Sequence, residues 1–292
     1  MMLRSTFCMA LGIAAAAWTL AAPAATAAPC PGNANGLGVS RTVQIDTTGG
    51  PGFGFEHYKA HDFLEQGEVV LTFDDGPLPS HTRTILKTLA EHCVKATFFP
   101  VGKLAVGYPE VLREVLADGH TVGSHTFNHS DLSKAKDEDA LNEIERGVSA
   151  VRKAAGRDTA PFFRYPFLRH STHTLEHLAS RNMAIFSTDI DSFDFKVQAP
   201  ANIVKNVLKK LDKHGKGIVL MHDIQPSTAK ALPDLLAALK QKGYRIVHLT
   251  PKDGVTTIAK YDEMVAESIK GLPAALSTRP TSSVVKTIKS NP

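Results

Sequence analysis

Val69-Val70-Leu71-Thr72-Phe73 runs directly into Asp74-Asp75-Gly76-Pro77. An unbroken apolar and β-branched run suits a strand covered on both faces, as in a parallel sheet, better than one with a wet face. It stops at two carboxylates and a Gly-Pro turn, so reactive side chains sit where the strand ends. Six more runs read alike: Ala96-Thr97-Phe98-Phe99, Thr121-Val122-Gly123, Phe162-Phe163, Met183-Ala184-Ile185-Phe186, Gly217-Ile218-Val219-Leu220-Met221 and Tyr244-Arg245-Ile246-Val247. Helical patterns separate them. Leu141, Ile144, Val148 and Val151 share one helical face, with Glu143, Glu145, Arg146 and Arg152 elsewhere. Leu232, Leu235, Leu236 and Leu239 form a second stripe, closed by Gly243 as a C-terminal cap. Such alternation predicts an α/β fold with parallel strands and crossover helices. Residues 66–250 are few for an eight-unit barrel, which usually needs about 250 and at least about 200. The expectation is a distorted (β/α) barrel of seven strand–helix units in a single domain, with an open doubly wound sheet as the alternative.

In a parallel barrel the C-terminal strand ends share one rim. Five runs lead straight into reactive groups: Asp74-Asp75, Ser124-His125 with His129, Arg164-Tyr165-Pro166-Phe167, Asp189 with Asp191 and Asp194, and His222-Asp223. His125 and His129 are four apart, a spacing that on a helical turn puts both imidazoles on one face, as one metal ion requires. A carboxylate from Asp74-Asp75 is the natural third ligand. Two adjacent carboxylates repel unless a cation sits beside one, and a metal on one frees the other as a base. Two histidines and one carboxylate leave positions open for water and substrate, as in a catalytic rather than a structural zinc site. His170, His173 and His177 read as a surface helix turn. Asp189 and Asp223 receive no role.

Thr72-Phe73-Asp74-Asp75-Gly76-Pro77, His125-Thr126-Phe127-Asn128-His129, Arg164-Tyr165-Pro166-Phe167, Asp191-Ser192-Phe193-Asp194-Phe195 and Leu220-Met221-His222 resemble, in order, the five motifs of the polysaccharide deacetylases, the NodB-homology enzymes of carbohydrate esterase family 4. The resemblance covers about residues 66–250 and implies a distorted (β/α) barrel. It also implies that Asp75, His125 and His129 hold a divalent metal, zinc by expectation with cobalt as a substitute. It makes Asp74 the general base, Arg164 its partner, His222 the general acid and Asp194 the residue that orients His222. The Phe167 backbone N–H would serve the oxyanion, and Leu220 would line the acetyl pocket. Phe195 stands where the family usually has Trp, which keeps an apolar wall and loses the indole N–H. The implied reaction is removal of N-acetyl groups from an N-acetylglucosamine polysaccharide of peptidoglycan or chitin type, releasing acetate. O-acetyl ester hydrolysis and non-catalytic glycan binding stay open as alternatives.

The remaining sequence bounds the setting. In 292 residues, 43% hydrophobic and 21% charged, the net charge is +4, too small and too evenly mixed to imply a nucleic-acid partner. Residues 1–27 read as an export signal, with Arg4 ahead of an Ala-rich apolar stretch and Ala25-Thr26-Ala27 at its end. The mature chain is then expected outside the cytoplasm, periplasmic or extracellular, as a monomer without stable membrane insertion. Cys30 and Cys93 would remain, either paired or as two thiols. Residues 28–65 read as an extension and residues 251–292 as a tail with a short helix near 256–270, both outside the catalytic core.

Overall fold

The computed structural model describes residues 30–270, so the export-signal reading and the polar run 277–283 fall outside the described residues. All seven expected strands are present. In chain order with three others they are β1 (Arg41–Ile45), β2 (Gly52–Phe53), β3 (Glu68–Asp75), β4 (Thr97–Pro100), β5 (Thr121–Val122), β6 (Phe162–Phe163), β7 (Ala184–Phe186), β8 (Ile190–Asp191), β9 (Gly217–His222) and β10 (Arg245–Pro251). The helices are α1 (Pro79–Glu91), α2 (Gly102–Gly107), α3 (Pro109–Ala117), α4 (Asp137–Ala155), α5 (Thr172–Ser180), α6 (Pro200–His214), α7 (Pro226–Gln241) and α8 (Ala259–Lys270).

Every strand pairing among the described residues is parallel. β3 is central, with β9 along one side and β4 and β10 sharing the other. From β4 the neighbours continue through β5 and the single Ser124–Phe163 bridge to β6 and β7. Just beyond β7, β8 returns to β9. The strands therefore follow one another in a parallel circuit from β3 through β4–β8 to β9, open between β7 and β8.

The pleat of β3 sorts its side chains. Val69, Leu71 and Phe73 join the outer layer with Ile85 and Leu89 of α1, Val207 and Leu211 of α6, and the Leu232, Leu235, Leu236 and Leu239 stripe of α7. Val70 joins the inner cluster with Phe99, Phe162, Phe186 and Ile218. Thr72 and Asp74 continue the inward row, because alternate residues share a face. The apolar run thus ends by placing the Asp74 carboxylate on the same face of β3 as Val70 and Thr72.

The exclusion of the two flanking segments from the core is corrected. β1 pairs with β10 from Arg41↔Val247 to Ile45↔Pro251, and β2 pairs with β7 through Gly52↔Ile185 and Phe53↔Phe186. At the other end, Val265 of α8 is buried against Phe127 and Ala150. Two short strands, one half-exposed and one of only two residues, give no apolar run to read, so their partners decide them. A second correction concerns Glu145, placed off the buried face by periodicity. It is fully buried and bonds His177 at 2.7 Å and Arg181 at 2.8 Å, which gives His177 a structural partner.

Cys30 and Cys93 form a disulfide across a separation of 63 residues. The same contact is reinforced by Asn33 Nδ2 donating to Glu91 O and Gly38 N to His92 O. Closing a loop of that length removes about 4 kcal/mol of chain entropy from the unfolded state. Cys93→Ser should therefore lower the unfolding free energy by about that amount. A urea midpoint equal to that of the parent chain would contradict this.

Candidate active site

The rim above the inner cluster gathers the chemistry. Asp74 is essentially buried and its Oδ1 accepts from Arg164 Nη1 at 2.8 Å. Arg164 is fully enclosed, and every polar arm is engaged: Nη1 also reaches Thr72 Oγ1 at 2.6 Å, Nε donates to Phe186 O at 3.1 Å and Nη2 to Ser187 O at 2.9 Å. Its guanidinium carbon lies 4.5 Å from the Phe99 ring centroid. A buried cation is tolerable only when paired and hydrogen-bonded in this way. Burial raises the Asp74 carboxyl pKa, against the pull of Arg164 and His222. The result is a more basic carboxylate with one oxygen clamped.

Asp75 follows on the same strand but departs from the pleat at φ 78°, which turns it toward His125 and His129. Its Oδ1 lies 3.5 Å from His125 Nε2 and 3.3 Å from His129 Nε2, and it has no hydrogen-bond partner although buried. His125 Nδ1 is 2.7 Å from Arg164 O, so that nitrogen carries the proton and Nε2 presents a lone pair. Burial drives the His125 pKa well below its usual value, which keeps the ring neutral. Ligand atoms of these three residues all lie within 4.8 Å of one another. An orphaned buried carboxylate oxygen facing two imidazole nitrogens is a donor set that could hold a divalent cation.

The four-residue spacing of His125 and His129 does not reflect a helical turn, which corrects the local expectation. The segment is irregular, with Thr126 at φ 63° and His129 at φ 61°. It is pinned instead by neighbours: Gly102 N donates to Thr126 O, Phe127 N to Glu143 O and His129 N to Thr126 Oγ1. The rings end with centroids 5.0 Å apart, as a shared ion needs, by a different backbone route.

Across the rim, the register places His222 of β9 directly beside Asp74. Asp194 Oδ1 lies 2.6 Å from His222 Nδ1, while its Oδ2 accepts from His222 N at 2.7 Å and from Thr228 Oγ1 at 2.5 Å. Burial works to lower the His222 pKa, but the charge and hydrogen bond of Asp194, joined by the charges of Asp75 and Asp74, outweigh it and the pKa rises to about 10. The imidazolium form is therefore held. Leu220 precedes His222 by two on the same face and is buried outside the apolar clusters. Phe195 meets the His222 ring edge-on at 5.7 Å. Phe167 sits in a 3-10 turn (Pro166–Leu168) at φ 58°, its ring 4.7 Å from that of His129 and 39% exposed. No backbone carbonyl among the described residues accepts from the Phe167 N–H.

Sequence reasoning missed the supports. Thr72 and Ser187 hold Arg164, and Thr228 holds Asp194. Asp223, left without a role, accepts from Gly76 N at 2.9 Å and Thr82 Oγ1 at 2.6 Å, fixing the turn that follows Asp75. Burial pushes its carboxyl up to about 7. The approach is so close that a Cβ on Gly76 would fall 2.0 Å from an Asp223 oxygen. Asp189 binds Phe55 N and Ile218 N and is likewise structural. Only the adjacency of Asp223 to His222 hinted at a site.

The family model for polysaccharide deacetylase matches residues 63–186. A chitooligosaccharide deacetylase of Azorhizobium caulinodans is 30% identical over 186 residues, covering 64% of this chain and 88% of that protein. A peptidoglycan-N-acetylglucosamine deacetylase of Listeria monocytogenes is 35% identical over 179 residues, covering 61% of this chain and only 37% of that longer protein. Among solved structures, a peptidoglycan deacetylase of Bdellovibrio bacteriovorus superposes with TM-score 0.66 at 34% identity, covering 73% of this chain and 59% of that one. With its parallel strands, clamped carboxylate and Asp-His-His cluster, the chain belongs to the polysaccharide deacetylase family.

Proposed function

We propose that the protein hydrolyses N-acetyl groups of an N-acetylglucosamine polysaccharide, peptidoglycan or a chitin-type glycan, releasing acetate. The carrying observation is the pairing of an orphaned Asp75 oxygen between two imidazoles with an Arg164-clamped Asp74 and an Asp194-clamped His222 on the neighbouring strand. The named activities of the relatives support the substrate class.

Asp75, His125 and His129 would hold the cation, zinc in our reading with cobalt as a substitute; such an ion, when bound, lends Lewis acidity to the acetyl carbonyl and acidifies water. Arg164 engages Asp74 Oδ1, which leaves Oδ2 to take the proton of the attacking water. The unengaged Phe167 N–H would donate to the developing oxyanion. His222, protonated and oriented by Asp194, would deliver a proton to the departing amine nitrogen. Leu220 would bound the acetyl methyl, and Phe195 would wall the sugar beside His222. Each proton-transfer group is expected to contribute about 10²–10⁴ in rate.

Acetate release from N-acetylglucosamine oligomers and from peptidoglycan should be lost on chelation and restored by zinc. Turnover of acetylated xylan alone would overturn the substrate class, and no release from any glycan after zinc loading would overturn the activity. We also place the mature protein outside the cytoplasm. A disulfide persists in oxidising compartments, and residues 1–27 have the composition of a signal. Among the described residues no helix is long and apolar enough to cross a membrane. N-terminal sequencing of the exported protein should begin at Ala28, whereas an intact Met1 start would contradict the reading.

A further inference from the structure

We propose that β2, which lies outside the residues 63–186 matched by the family model, is a positioning element of the active site: it holds the peptide groups that cradle Arg164. The inference rests on the reading of Asp74 and Arg164 given above.

The connection is direct. Arg164 is held from below by two consecutive carbonyls, Phe186 O and Ser187 O. The peptide that offers Phe186 O to Arg164 presents its other side, Ser187 N–H, to Phe53 O of β2 at 2.8 Å. One peptide plane is thus fixed by β2 on one edge and bears the guanidinium on the other. The register is reinforced at both ends, by Ile185 N donating to Pro51 O and Glu56 N to Thr188 O. The Phe53 ring stacks on Phe186 at 5.1 Å, and His57 Nδ1 lies 2.7 Å from Ser187 Oγ. No family motif read from the sequence contains any of these β2 contacts. A buried guanidinium whose acceptors shift moves its carboxylate partner with it, and misplacement of a reacting group by about 1 Å can cost 10²-fold in rate.

Gly54 gives a local probe. A Cβ there would fall 2.8 Å from Ser187 C and from Thr188 N, both backbone atoms that cannot swing away, and the residue sits at φ 98°. Gly49, in the same segment at φ 76°, would place a Cβ within 4 Å of nothing. Gly54→Ala and Gly49→Ala therefore share a backbone penalty, but only the first pushes on the Arg164 cradle.

The test compares the two variants in the full mature chain. Gly54→Ala is expected to lower kcat by about tenfold to a hundredfold with KM and zinc uptake unchanged. Gly49→Ala should leave kcat at the parent value. His57→Ala, which leaves the backbone intact, should lower kcat by about threefold to tenfold and serves if Gly54→Ala does not fold. A second readout is independent of activity. The Arg164 side-chain N–H signals, identified by their loss in Arg164→Lys, should shift and exchange faster with solvent in Gly54→Ala (or His57→Ala) and not in Gly49→Ala. Parent-like kcat and parent-like Arg164 signals in Gly54→Ala and His57→Ala would overturn the inference. So would an equal fall in kcat for Gly49→Ala, which marks a merely structural role. A parent chain that releases no acetate would instead remove the proposed activity, and the Arg164 signals would still decide the positioning role.

Discussion

Asp74→Asn is expected to lower kcat by about 10²–10⁴ while KM and metal uptake stay near those of the parent. The amide has nearly the shape of the carboxylate and still accepts from Arg164 Nη1 through its oxygen, so the geometry of the clamp survives. It cannot take a proton from water at neutral pH. The substitution also leaves Arg164, which is fully buried, without its counter-charge. Losing one partner of such a pair typically destabilises by about 3–5 kcal/mol, and the remaining acceptors, Thr72 Oγ1, Phe186 O and Ser187 O, should hold the loss to the low end. Single-turnover acetate release together with a urea melt checks both parts. A kcat within tenfold of the parent would remove Asp74 from the base role.

The second large effect concerns His222 and Asp194. A general acid works only while protonated, so the high-pH side of the kcat/KM profile falls as His222 loses its proton. Burial acts to lower that pKa, and Asp194, with smaller help from Asp75 and Asp74, more than reverses it, to about 10. Asp194→Asn keeps an acceptor for Thr228 but removes the charge. The His222 pKa should then drop toward its ordinary value of about 6.5 and the high-pH limb should move to lower pH. At pH 8 the variant would keep only about 3% of the imidazole protonated and lose about 30-fold in kcat. His222→Ala should lose the full contribution of the group, about 10²–10⁴, with no high-pH limb from it. The profile of Asp194→Asn between pH 6 and 10 is the check, and a limb that stays where it is in the parent would contradict the pairing.

Much of the parallel α/β fold was legible because parallel strands advertise themselves as apolar runs. Val69–Phe73 is covered by helices on one side and ring side chains on the other, so both faces had to be apolar. β1, β2 and β8 gave no such signal. β1 alternates between half-buried and exposed positions, β2 has two residues, and β8 includes Asp191, so each is defined by hydrogen bonds to a strand far away in sequence. The reactive residues were readable from type and position at strand ends. Their supports were not, because Thr72 reaches Arg164, and Asp223 reaches Gly76, only once register is set. Glu145 shows the same limit: periodicity put it toward water, and its partners His177 and Arg181 on and beside α5 put it inside. The His125–His129 spacing singled out two rings that do come together, but positive φ at Thr126 and His129, not a helical turn, brings them there.

The account turns on a cation site built by Asp75, His125 and His129. Calorimetric titration of the chelator-stripped mature protein with zinc tests it most directly, with His129→Ala as the comparison. One equivalent taken up by the parent, and binding lost or strongly weakened in His129→Ala, is the predicted result. No uptake by the folded parent, or equal uptake by both proteins, would contradict it.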